Sequence, residues 1–84
     1  MEKSFYTLNW FNTKDRRIQS LARPSENEIY SEMLRFISRI PHDKSNEVID
    51  YDWDTTSLKS NEHNAFVKED NGTKWYFTTI CYKY

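Results

Sequence analysis

Five consecutive residues, Asp50, Tyr51, Asp52, Trp53 and Asp54, alternate carboxylates with large aromatic rings. Asp-x-Asp-x-Asp opens an EF-hand calcium loop, whose sixth position is glycine and whose twelfth is glutamate. Here those positions hold Thr55 and Asn61, and the preceding residues lack a helical pattern, so the calcium reading fails. On a strand, alternate carboxylates stand about 6.5–7 Å apart along one face, too far to converge on one ion. The pattern offers negative charge and stacking surface together, which fits docking on a protein partner with a basic surface. The plainer alternative is a solvated strand face.

A second cluster has the opposite sign. Lys14, Arg16, Arg17 and Arg23 lie close in sequence to Tyr6, Trp10 and Phe11. Aromatic rings on a sheet beside basic side chains are the means by which many domains hold single-stranded nucleic acid. Against it, the net charge is −1, which gives no global basic field. Residues 1–40 carry seven Lys/Arg against five Asp/Glu, whereas residues 41–84 carry five against eight. The acidic second half places the nucleic-acid reading second, behind a protein partner. The plainer alternative is a solvated edge whose aromatics face a helix.

Cys81, His42 and His63 are the only soft metal ligands, and no two have zinc-site spacing. A Cys–His nucleophile pair has no local support, and Cys81 in an aromatic run reads as a small core residue. A single Cys excludes an internal disulfide, and a single glycine excludes a phosphate-cradling loop. The expectation is a non-catalytic protein with no cofactor and no metal.

The elements that position these residues are legible in the alternation. Residues 3–11 read as a strand with Phe5, Thr7, Asn9 and Phe11 on one face and Tyr6, Leu8 and Trp10 on the other. Residues 12–15 have turn chemistry, and residues 16–22 return as an edge strand whose charge blunts the edge. Residues 25–40 form a helix: Ser25 and Glu28 make a capping box, and Pro41 stops it. Its apolar stripe is Ile29, Met33, Phe36, Ile37 and Ile40, widened by Tyr30 and Leu34. Residues 47–53 alternate as a strand, and residues 55–64 read as a mobile polar loop. Asn71-Gly72 between two β-rich runs predicts a two-residue type I′ hairpin between residues 64–69 and 74–84. That turn pairs Glu69 with Lys74, Val67 with Tyr76 and Phe66 with Phe77. Residues 74–84 are apolar on both faces, as a central strand is, and their far end needs the N-terminal strand as partner.

Eighty-four residues make one domain, 1–84, that buries roughly 60–65% of its unfolded surface. The fold expected is α+β, a mixed or antiparallel sheet of four to five strands with one helix on one face, in β-β-α-β-β-β order. Fourteen aromatic residues, three Trp, six Tyr and five Phe, exceed what one helix can cover. Some of Trp10, Trp53, Trp75, Tyr82 and Tyr84 must therefore be exposed or lie at an interface, homodimeric association included. No apolar run has membrane-spanning length and no charged-then-apolar leader is present, so no membrane association and a cytoplasmic location are expected.

Two resemblances accompany these readings. Ile80-Cys81-Tyr82-Lys83-Tyr84 resembles the end of mRNA interferase toxins of the RelE type over about five residues. That family is basic and works with sheet arginines, whereas no Arg follows position 39 and the pI is about 6.1 here, so no activity is carried over. In composition the chain resembles small accessory proteins of tailed bacteriophages: very short, rich in Asn, Lys, Tyr and Trp, poor in Gly. That resemblance implies a stoichiometric inhibitor of a host enzyme or defence complex, acting in the host cytoplasm, and assigns no site residues.

Overall fold

The structure is a computed structural model and describes residues 3–49 and 63–84. Its elements are β1 (Ser4–Asn12), β2 (Gln19–Arg23), α1 (Glu26–Ser38), a 3-10 turn (Lys44–Asn46), β3 (Glu47–Ile49), β4 (Asn64–Lys68) and β5 (Lys74–Lys83). All five strands join one sheet in the order β2-β1-β5-β4-β3, and every neighbouring pair is antiparallel. This is the expected α+β domain in the expected element order.

Strand β5 is central because it is apolar on both faces and longer than its hairpin partner. It pairs with β4 on one side and with β1, from Ser4↔Lys83 to Asn12↔Trp75, on the other. The ladder continues one residue further: the Lys3 N–H donates to the Tyr84 carbonyl at 3.0 Å and the Tyr84 N–H donates to the Lys3 carbonyl at 2.8 Å.

Helix α1 starts where Ser25 caps it. The Ser25 hydroxyl oxygen accepts from the Glu28 N–H at 3.3 Å and its O–H donates to the Glu28 carboxylate at 2.8 Å. Ile29, Met33 and Ile37 repeat at helical spacing and are buried, with Ile40 just beyond the helix. They close over Leu8, Trp10, Ala65, Val67 and Phe77 to form the core. Phe36 sets its ring 5.1 Å from Trp10, 5.5 Å from Phe77 and 5.5 Å from Trp75. The one buried polar residue among those described, Thr79, is satisfied. Its hydroxyl oxygen accepts from the His63 N–H at 2.7 Å, and its own N–H donates to the His63 carbonyl at 2.9 Å.

The β4–β5 turn corrects the sequence reading. The observed partners are Phe66↔Tyr76, Val67↔Trp75 and Lys68↔Lys74, one residue away from the type I′ register. Gly72 alone in this turn has positive φ, at 93°. The Gly72 N–H donates to the Glu69 carbonyl at 2.8 Å, and the Glu69 N–H donates to the Thr73 carbonyl at 2.7 Å. This is a three-residue loop, a type I turn closed by a left-handed glycine. It wins because a type I′ turn needs positive φ at Asn71 too, whereas this one needs it only at the glycine. The slip puts Val67 and Trp75 together on the helix side and Phe66 and Tyr76 together on the other.

Strand β2 also begins later than residue 16. The Asn12 side-chain oxygen accepts from the N–H groups of Lys14, at 3.0 Å, and Asp15, at 2.6 Å. The Arg16 N–H then donates to the Asn12 carbonyl at 2.9 Å, which places Arg16 in the left-handed region at φ 62°. A residue so placed closes a turn and cannot start a strand. In the expected strand over residues 47–53, β3 accounts for 47–49; residues 50–53, and 55–62 of the expected loop, lie outside the described residues. No helix among the described residues is long and apolar enough to cross a membrane.

Candidate functional site

One helix covers one face of five strands, and strand alternation sends every second side chain to the other face. The register assigns to that face, which no described element covers, Phe5, Thr7, Asn9 and Phe11 of β1, Asn64, Phe66 and Lys68 of β4, and the even-numbered residues of β5. Ser20, Ala22 and Val48 extend it over the two edge strands. The large apolar residues left exposed concentrate there: Phe11, Val48, Tyr82 and Tyr84 range from 39% to 71% accessible.

The rings form two groups. At one end Phe11 stacks on Tyr76, with centroids 5.0 Å apart and planes 17° apart, and Phe66 meets the same tyrosine at 5.2 Å. At the other, Phe5 stacks on Tyr82 at 5.1 Å and 17°, with Tyr84 at 5.7 Å. Tyr76 and Tyr82 are six residues apart on one strand, which sets the groups about 20 Å apart. Between them lies a polar band in which Thr78 faces Asn9 on one side and Asn64 on the other. There the Asn9 amide donates to the Thr7 hydroxyl at 3.2 Å.

Among the described strand positions, the charge on this face is basic. Lys68 and Lys74 are direct cross-strand partners beside the Phe11–Tyr76–Phe66 group, and like charges so placed repel. Among the described strand positions no carboxylate shares the face. Glu47, the only acidic residue in a described strand, pairs with Val67 and so lies on the helix side. Arg16 joins from the β1–β2 turn, where it lines an open concavity with Phe11, Thr13 and Ile18. That turn is tied to the start of β5, since the Thr13 N–H donates to the Lys74 carbonyl at 3.0 Å and the Lys74 N–H to the Thr13 hydroxyl at 3.1 Å.

The residues singled out in the sequence are distributed unevenly. Asp50, Tyr51, Asp52, Trp53 and Asp54 lie outside the described residues. Lys14, Arg16 and Arg17 share the exposed β1–β2 turn, with the Arg17 Nε 3.8 Å from the Asp15 carboxylate. Arg23 parts from them. It pairs with Tyr6 on the helix side, places Nη2 3.9 Å from Glu32 and donates through Nη1 to its own neighbour's carbonyl, Ala22, at 2.7 Å. Tyr6 and Trp10 also face the helix, which leaves Phe11 as the aromatic residue of that group on the open face. Lys68, Lys74, Phe66 and Tyr76 were not singled out, because their juxtaposition depends on the turn register.

The titratable residues on the helix side are engaged in structure. His42 meets the Ile40 carbonyl through Nδ1 at 2.5 Å and Glu47 through Nε2 at 2.6 Å. The Glu47 contact, more than the carbonyl, holds its imidazole above the usual range. His63 Nε2 lies 2.8 Å from Glu26, and its ring 4.4 Å from that of Tyr30. Cys81 is opposite Tyr6, and a hydrogen bond between their side chains pushes the Tyr6 phenol up. Among the described residues no three His, Cys, Asp or Glu side chains are grouped so as to hold a metal ion. No known protein family, curated protein or solved structure matches this chain.

Proposed function

We propose that this chain is a small binding domain that acts by occupancy, through the uncovered sheet face, and performs no catalysis. The observation that carries the reading is the concentration of exposed and half-buried rings in two groups on that face. Exposed apolar clusters rimmed by polar residues are the usual mark of an interaction surface. Binding is favoured over catalysis because both histidines lie on the helix side, in contact with Glu47 and Glu26, away from the face that carries the rings.

The test is positional. A photo-crosslinking phenylalanine analogue replaces Tyr76 on the open face or Ser31 on the exposed side of α1, in cells that express the protein. Adducts that form from position 76 and are missing from position 31 support the reading. Adducts from position 31 with none from position 76 refute it.

A further inference from the structure

We infer that the uncovered face is a platform for single-stranded RNA, bound by base stacking on its two aromatic groups and by phosphate contact with Lys68, Lys74 and Arg16. The inference rests on the reading of that face as the working surface, and names the partner.

Charge complementarity decides the class. The chain as a whole is slightly acidic, but fields between exposed charges fade over about 8 Å at physiological salt, so a ligand meets the charge of the face it touches. On this face the described ionic groups are lysines, while Glu26, Glu28 and Glu32 ride on the helix behind the sheet. Two further placements suit an anionic partner. Lys68 and Lys74 are held opposite one another, at a local cost that a bridging phosphate would reverse. Arg16, held in the β1–β2 turn, lines the concavity beside Phe11.

The dimensions and chemistry fit a strand of bases. Sheet aromatics in known RNA-binding modules stack two or three bases, and the separation of about 20 Å between the two groups spans a segment of that order. A duplex hides its base faces and cannot use the rings. The hydroxyl and amide groups of Thr7, Asn9, Asn64 and Thr78 lie midway. Each both donates and accepts, as the ribose 2′-hydroxyl does, which favours RNA over DNA.

The experiment is a fluorescence-anisotropy titration of labelled 12-nucleotide oligouridine, the matching oligothymidine, and a duplex RNA of equal length, at several salt concentrations. Oligouridine is expected to bind tightest of the three, with a log–log salt slope of about −0.7 per basic side chain engaged. Lys68→Gln with Lys74→Gln removes a repulsive pair, leaves the fold intact, and shallows that slope by about 1.4. Arg16→Gly keeps the turn, since glycine accepts φ 62°, and removes only the guanidinium; it shallows the slope by about 0.7. Tyr76→Leu keeps apolar bulk and removes the ring, weakening binding by between about fivefold and 150-fold. Arg35→Gln, on the helix, changes nothing.

Equal affinity for duplex, tighter binding of oligothymidine, or indifference to all the face variants overturns the inference. So does oligouridine that fails to bind at low salt. If that failure accompanies position-76 crosslinks to protein, or a dimer in sedimentation that Tyr82→Lys dissolves, the face is a protein interface. The open-face reading then stands and the RNA assignment falls. If position 76 crosslinks nothing and no oligonucleotide binds, both fall.

Discussion

Gly72→Ala and Asn71→Ala together test the turn that sets the register of the open face. At φ 93° an alanine is in the left-handed region, while a Cβ built at Gly72 meets nothing within 4 Å. The cost is therefore backbone alone, about 1–2 kcal/mol. The reduced entropy of the unfolded chain returns about 0.4–1 kcal/mol of it, for a net loss near 1 kcal/mol. In a domain of this size that lowers the melting temperature by about 4–8 °C. Asn71 has no positive φ to lose. Its truncation removes the side-chain oxygen that accepts from the Thr73 N–H at 2.9 Å on an exposed surface, worth about 0.5 kcal/mol. Urea denaturation followed by tryptophan fluorescence measures both. If Asn71→Ala costs as much as Gly72→Ala, both positions require positive φ. The loop is then the two-residue type, and the Phe66–Tyr76 and Lys68–Lys74 pairings are wrong.

Two other perturbations probe the helix side. Phe77→Ala, at a residue 1% accessible under Phe36, is expected to cost about 3–5 kcal/mol. Against a total of about 4–13 kcal/mol for a domain this long, circular dichroism is expected to report a largely unfolded or markedly less stable chain. His42 provides the pH dependence. Its folded pKa is raised by Glu47 first and the Ile40 carbonyl second, with Asp70 adding a smaller push. The stabilisation is therefore complete below the unfolded value of about 6.5 and is lost as pH rises through the folded value. Denaturation midpoints taken from about pH 5 to about pH 9 are expected to fall over that window in the wild type and to stay flat there in His42→Gln.

The elements with two agreeing signals were legible from sequence. Helix α1 has a cap, a stripe and a proline stop, each implying the others. Strand β5 has apolar residues on both faces, which demanded a partner on each side, and β1 and β4 supply them. The faces of β1 and β5 followed from alternation alone. What escaped was register and edge. Asn-Gly suits both a two-residue loop and the longer loop observed, and the choice turned on the φ of Asn71, which residue type does not determine. Arg16 read as the first residue of a strand because nothing in its type announces a left-handed conformation. The basic pair on the open face escaped for the same reason. Lys68 and Lys74 are six positions apart in sequence, and only the correct loop makes them neighbours. Arg23 looked like part of a basic cluster with Arg16, yet one residue of alternation turns it to Glu32 on the opposite face.

The pairing of β1 with β5 has a consequence for how the sheet is born. Of the five described strands, the first to be made has β2 for one neighbour at once, but its other neighbour is the last of the five. Until β5 appears, Leu8 and Trp10 have no Phe77 to pack on, and Phe5 and Phe11 have no tyrosines to stack against. The helix meanwhile has only half a sheet to lie on. Closing so long a loop adds little to the equilibrium cost, because loop entropy grows only with the logarithm of length, but it slows the approach to the native state. Completion of the sheet therefore waits for β5, and the interval before it leaves the aromatic residues of β1 open to other chains.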